Sequence, residues 1–320
     1  MRPTEEHGHH RPPKAAILMI PVLAALLLTL FAWPAARIEP RDLPIGVAGP
    51  APAAAAIESR LAEQPGAFSV ERYADGAEAR DAIRDREVYG AFLATPDGLV
   101  VLNSTAASPV VAQLLTNAAE ESGASGVRDV APATRAGAAL PSSVLPLVLA
   151  GILTGVMSLL LTTSGLGRIG LVAAGSIGAG LAGALIVQSW LDVVSGDWLT
   201  NAAVLSLTIG AIGSIVAGLG AAFGKTGAAA GALLMILIGN PFAAAGSAPE
   251  LLPEPVGGIG QLLPPGAGAN LLRSTGFFDG AGSGEHLLVL ALWALAGLAC
   301  LAVPALRARR GGAPVAEAAA

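Results

Sequence analysis

Charge is what this chain has least of. Asp, Glu, Lys and Arg make up 13% of its 320 residues, against about 25% in a typical soluble domain. Cysteine is nearly absent: Cys300 stands alone in an apolar run, which excludes a disulfide framework and a cysteine-rich metal centre. Aromatics reach only 4%, so Trp and Tyr belts can add little anchoring at a membrane interface. What is abundant is hydrophobicity, with 53% apolar residues and a mean hydropathy of +0.66. That balance describes an integral membrane protein.

The apolar residues are gathered into runs. Residues 1–14 form a short polar tail with Arg2, His7, His9, His10, Arg11 and Lys14. His7-Gly8-His9-His10 has no Cys-rich or carboxylate-rich partner set, so a solvated tail is expected rather than a metal site. Residues 15–36 are apolar and free of charge, long enough to cross a hydrocarbon core of about 30 Å. A cleaved signal peptide would share the basic flank, but a small-x-small cleavage site is missing, and a retained first helix is expected.

Residues 37–141 are a different material: charged, acidic and patterned for secondary structure. Leu43–Ala48 and Phe68–Tyr73 read as strands, and Asp75 is placed to cap a helix running to Arg86. Tyr89–Ala94 and Leu99–Leu102 read as strands joined across Pro96-Asp97-Gly98. With helices at Ala51–Glu63 and Pro109–Glu120, the order is β-α-β-α-β-β-α, a small α/β domain. Residues 142–306 then read as a five-helix membrane domain, with spans near 144–163, 170–190, 202–223, 226–247 and 286–306. The expected fold class is an α-helical integral membrane protein of six transmembrane helices, with the α/β domain inserted between the first and second. Residues 307–320 form a second tail.

The basic residues predict an orientation. Arg168, Lys225, Arg307, Arg309 and Arg310 all fall on the side of the N-terminal tail, whereas Leu191–Asn201 carries Asp192 and Asp197 and no base. Both termini are therefore expected in the cytoplasm of a multi-pass plasma-membrane protein, with the α/β domain outside.

Familiar motifs fail on context. Gly178-Ala-Gly180-Leu-Ala-Gly183 spells a dinucleotide fingerprint but lies inside a span, with no strand before it and no acidic residue at the required distance. Small residues that let helices approach closely explain it, as they do Gly151-xxx-Gly155, Gly220-xxx-Gly224 and Gly227-xxx-Gly231. Gly224-Lys225-Thr226 resembles the end of a phosphate loop, but the position that needs the upstream glycine holds Leu219. Span cores carry almost no ionisable residue, so a proton relay lacks its usual parts. Their mild polar groups, among them Thr154, Ser158, Ser176, Gln188, Ser206, Thr208 and Ser214, read as packing contacts. Asp192 and Asp197 lack a third ligand and read as a solvated loop. His286 is the one histidine outside the tail, at a span entrance, and no base–nucleophile arrangement is visible. Enzymatic activity, a cofactor and a metal site are not expected, and nucleic acid is not an expected partner.

One stretch resists the division into spans and loops. Gly239–Gly280 alternates Leu251-Leu252, Leu262-Leu263, Leu271-Leu272 and Phe277-Phe278 with Pro253, Pro255, Pro264 and Pro265. That pattern suits a re-entrant or interfacial segment over residues 248–284, with short helices at Pro253–Leu263 and Ala267–Arg273 closing the outer end of the bundle. Its pathway or outer-gate candidates are Asn240, Pro241, Pro264, Asn270, Arg273, Phe277 and Phe278. Arg273, its only base, is expected to form a salt bridge with Glu250, Glu254 or Asp279 rather than to meet a substrate.

Three stretches carry a family resemblance. They are Ile45-Gly-Val-Ala48; Tyr73-Ala-Asp-Gly-Ala-Glu-Ala-Arg80 with Glu87-Val-Tyr-Gly-Ala-Phe92; and Gly239-Asn-Pro-Phe242 through Pro249-Glu-Leu-Leu-Pro253, Leu263-Pro-Pro265 and Asn270-Leu-Leu-Arg273 to Phe278-Asp-Gly280. With the one-span, external-domain, five-span order, the chain resembles type 2 exporter permeases of the ATP-binding-cassette class, in the phage-infection-protein-like subgroup. The resemblance implies a permease-like subunit moving an amphipathic or hydrophobic molecule outward, in contact with membrane lipid. It implies pairing with itself or a sister permease, and energy, if any, from a separate cytoplasmic ATPase. The chain departs from the family in one respect: its connection at Ser164–Ile169 is too short for the usual coupling helix. The alternative is a membrane-anchored cell-envelope interaction protein with no transport activity.

Overall fold

The computed structural model describes residues 14–311. The His7–His10 group and the outer parts of both expected tails lie outside the described residues. Helix α1 covers Lys14–Ala35, and a five-stranded sheet with flanking helices follows it in the chain. The elements are β1 (Leu43–Ala48), α2 (Ala51–Leu61), β2 (Phe68–Tyr73), α3 (Gly76–Arg84), β3 (Gly90–Thr95), β4 (Gly98–Asn103), α4 (Pro109–Glu121) and β5 (Gly126–Asp129). The spatial order is β2-β1-β3-β4-β5. β1 runs parallel to β2 and β3, β4 is antiparallel to β3, and β5 is parallel to β4. The hairpin turns where Pro96-Asp97-Gly98 requires it, with Thr95 opposite Gly98. Gly98 takes a positive φ of 122°, which a side chain would resist. Asp75 caps α3, accepting from the backbone N–H of Ala77 and Glu78. These bonds hold its carboxyl below the usual carboxylate range.

The sheet buries both faces. On one, Leu43, Ile45, Phe92 and Val101 pack with Val111, Leu115 and Ala119 of α4. On the other, Ala48, Tyr73, Ala91 and Leu102 pack with Ala79, Ala82 and Ile83 of α3.

Four helical stretches are long and apolar enough to cross a membrane: Gly137–Leu161, Gly165–Trp190, Trp198–Gly239 and Ser283–Ala302. They contain α5 (Leu140–Leu161), α6 (Gly165–Ala184), α7 (Trp198–Leu233) and α10 (Ser283–Gly311). α6 and α7 are each continued by a wider turn, Leu185–Trp190 and Leu234–Gly239. The third stretch is the centre of the bundle: it is mostly buried, whereas the other three are mostly exposed on the bundle's outside.

α7 is not straight. Gly224 leaves the helical region at φ 70°, ψ −154°. A Cβ built on Gly231 lies 3.3 Å from the Val216 Cα, and one on Gly220 lies 3.1 Å from the Ala228 Cβ. Fifteen residues of straight helix would hold Val216 and Gly231 about 22 Å apart, so α7 folds back on itself beside Lys225. The second arm stops at Gly239, short of the expected 226–247, because Asn240-Pro241 cannot continue the ladder. From Lys225 to that stop the arm is too short to reach about 30 Å unaided, and turns, not helix, carry the chain onward from Asn240 to Pro255.

Glycines set the packing around the first arm. A Cβ on Gly151 would meet Ile212 at 2.6 Å, and one on Gly155 would meet the Gly213 carbonyl oxygen at 2.6 Å. Gly180 lies against Ser206, whereas Gly178 of the same fingerprint-like run faces nothing within 4 Å. Thr154, Ser158, Ser176, Ser206, Thr208 and Ser214 each donate to a carbonyl one turn back on their own helix, between 2.6 and 3.0 Å.

Candidate functional site: a polar cleft between the sheet and the bundle

After Gly239 the chain turns, forms a single 3-10 turn at Pro249–Leu251, and continues as α8 (Val256–Gln261) and α9 (Pro264–Phe277). The expected helices at Pro253–Leu263 and Ala267–Arg273 thus begin later and earlier, respectively. Pro264 and Pro265 open α9, where a missing N–H removes no helical bond. α9 is buried along most of its length, packed by Leu271 and Leu272 into the core formed with Leu205 and Leu290.

The apolar pairs of this stretch divide between different surroundings. Ala248 and Leu251 enter the sheet core beside Ile45 and Leu115. Leu263, Leu271 and Leu272 are buried, and Leu262 is exposed. Backbone bonds fix the join: Glu39 N–H donates to the Leu251 carbonyl at 3.1 Å and Arg41 N–H to that of Glu250 at 3.0 Å. The Arg41 Nη1 also donates to Leu251 O at 2.9 Å. The sheet is therefore clamped to the segment between α7 and α10.

Beside that clamp lies a cleft of about 830 Å³, with walls from the loop after α3, α8, α9 and the start of α10. Arg86 is its central cation. It donates through Nη1 to the Asn270 carbonyl at 3.2 Å and through Nη2 to Asn270 Oδ1 at 3.1 Å. Its guanidinium lies 5.5 Å from the centre of the Phe278 ring, a cation–π distance. Burial pulls its pKa below the ordinary arginine value, yet such a group stays charged. Arg86 also has φ 63°, just past the end of α3, where glycine is the usual occupant.

Arg273 approaches from behind Asn270. It is 3% exposed and donates to the same Asn270 Oδ1 at 2.9 Å and to the Ala245 carbonyl at 2.6 Å. The expected salt bridge to Glu250, Glu254 or Asp279 does not form: among the described residues the ion pairs involve Arg41, Arg72 and Arg84 only. Glu250 is engaged elsewhere, accepting from the Tyr89 hydroxyl at 2.9 Å. Burial and Glu250 together push the Tyr89 phenol up, so it stays a donor. Asn270 donates onward to Gln261 Oε1 at 2.6 Å, and Gln261 donates to the Ala243 carbonyl at 3.2 Å. His286 lines the same cleft, and its buried Nδ1 finds no hydrogen-bond partner.

Of the seven candidates, Asn270, Arg273 and Phe278 converge on Arg86. Asn240 and Pro241 line a separate cleft of about 360 Å³ that also touches Phe31, Pro34 and Val144. Pro264 is buried in the fold of α9, and Phe277 packs against the bundle core. Sequence reasoning missed Arg86, Tyr89 and Gln261, and gave Glu250 to Arg273 rather than to Tyr89. A cation at the glycine position after α3 is the available signal for the first. Asp197 caps α7, accepting from Thr200 N–H at 2.7 Å. No group of three or more metal-ligating side chains gathers among the described residues.

No protein family, curated protein or solved structure matches this chain.

Proposed function

We propose that this chain is a permease-like membrane subunit of an export system, moving an amphipathic or hydrophobic molecule outward. The observation that carries the reading is the Arg86–Asn270 cleft, a polar chamber beside exposed leucines at the end of an apolar bundle. Binding sites of transporters need such a meeting of polar and apolar walls. In this reading α1, α5, α6, the first arm of α7, its second arm completed by the turns that follow Gly239, and α10 make six passes. Arg168 and the Lys225 turn share one end of the bundle with Leu301, since Gly220 lies against Leu159 and Gly165 approaches Leu301. The positive-inside rule makes that end cytoplasmic and the sheet extracytoplasmic. The resemblance to type 2 exporter permeases supports a dimer with itself or a sister permease, and a separate ATPase.

One observation favours the second reading, a cell-envelope interaction protein without transport. The connection between α5 and α6 is only Thr162–Ser164, which leaves little for an ATPase to grip. Pull-down from intact membranes tests the first reading: recovery of an ATPase supports it, and repeated failure argues for the second. Deleting residues 44–130 and measuring export and envelope binding separates them. Reporter fusions at Thr105 test the topology, and a cytoplasmic signal would overturn it.

A further inference from the structure

The walls of the cleft point to what it holds, and the biological role of that ligand rests on the permease reading. Two guanidiniums, Arg86 and Arg273, share one neutral oxygen, Asn270 Oδ1. Neither has a carboxylate within 4.0 Å among the described residues; Glu250, which acts on Arg86 from farther off, is bonded to the Tyr89 hydroxyl instead. Buried cations are ordinarily paired, because desolvation without a counter-charge is costly. Arg86 faces the cleft, and its planar fork matches the oxygens of a phosphate-type anion. His286 adds an unpartnered buried nitrogen on the same wall.

The mouth has the opposite sign. Asp42, Glu254 and Glu285 line the cleft and are exposed, while Arg41, the one base beside them in the lining, is paired with Glu39. A multiply anionic ligand would meet repulsion there, whereas an ammonium would be drawn to it. Apolar surface joins the acids: Ile259 and Leu262 line the same cleft at 40% and 59% exposure. An inner cation, an acidic mouth and an apolar border together describe a ligand with three parts. We propose that the cleft binds a zwitterionic amphiphile, its phosphate-type group on Arg86 and Asn270, its ammonium at the acidic mouth, and its chain along Ile259 and Leu262.

The test is a titration of the full-length protein in mild detergent, without any ATPase. The probes are dihexanoyl phosphatidylethanolamine, dihexanoyl phosphatidylglycerol and inorganic phosphate, with binding followed by native mass spectrometry. The zwitterionic lipid should bind about tenfold more tightly than the other two. Arg86→Gln should weaken it about tenfold, while Arg84→Gln, on the exposed end of α3, should leave it unchanged. Glu254→Lys combined with Glu285→Lys should turn the preference toward phosphatidylglycerol; both sites are exposed, so this variant stays informative where Arg86→Gln fails to fold. Undiminished affinity in Arg86→Gln overturns the proposal, as does an unchanged preference in the double variant. Inorganic phosphate binding as tightly as the lipid would make this a free-anion site and overturn the amphiphile. Failure here leaves the export assay standing, and binding without export sinks only the permease reading.

Discussion

The serine and threonine hydroxyls inside the spans and the polar groups of the cleft obey different rules. In the bundle, Ser158, Ser176, Ser206, Thr208 and Ser214 each bond to a carbonyl of their own helix. Such a group is satisfied before any helix meets another. In the cleft the partners lie far apart in the chain: Arg86 with Asn270, Tyr89 with Glu250, Arg273 with Ala245. The first two bonds exist only once the sheet has docked, so they couple two parts of the molecule and hold charge where solvation is poor. A hydroxyl in a span is thus weak grounds for a pathway, and a cross-element cation is stronger grounds for a site.

The contrast can be broken experimentally, and the largest effect should come from the bundle's backbone contacts rather than its polar groups. Gly180→Leu forces a side chain onto Ser206 and should cost about 3 kcal/mol. Gly178→Leu, with nothing within 4 Å, should stay within about 0.5 kcal/mol in the same denaturation assay. Equal losses would mean that the run packs as one surface. Next comes Asn270→Ala, which strands two guanidinium donors. It should cost about 2 kcal/mol and speed proteolysis around residues 37–41, where the sheet is clamped. Unchanged proteolysis would show that backbone bonds alone hold the sheet.

Gly224→Ala places a side chain at φ 70° and should cost about 1 kcal/mol, read as a lower melting temperature. Ser214→Ala should change stability by under about 0.5 kcal/mol; a larger loss would erase the contrast between bundle and cleft. The smallest effect is at Asp75, whose capping bonds depress its pKa. Its contribution is present above the unfolded carboxyl value of about 3.9 and is lost as pH falls through the lower folded value. Asp75→Ala should therefore lower the melting temperature at pH 7, with the difference shrinking toward pH 3.

Legibility follows the range of the forces involved. The Pro96-Asp97-Gly98 hairpin, the Asp75 cap and the apolar runs are local, and each is visible in a few adjacent residues. The strand Gly126–Asp129 is not, since it is short and pairs with β4 only after α4 has brought it there. Leu251 reads as part of a re-entrant or interfacial segment because its partners, Ile45 and Leu115, lie more than a hundred residues away. Arg273 reads as half of a salt bridge because three acids lie near it in sequence; folding gives it Asn270 and Ala245 instead.

The sequence by itself determined that this is a membrane protein of long apolar helices interrupted by a charged α/β stretch. Hydropathy and periodicity are properties of consecutive residues, and water and lipid read them directly. Only the tertiary structure decided that α7 doubles back at Gly224, that Ala248 and Leu251 belong to the sheet's core, and that Arg86 and Arg273 meet over one amide. Those outcomes depend on close approach between distant segments, where glycine contacts and buried charge, rather than local pattern, select the arrangement.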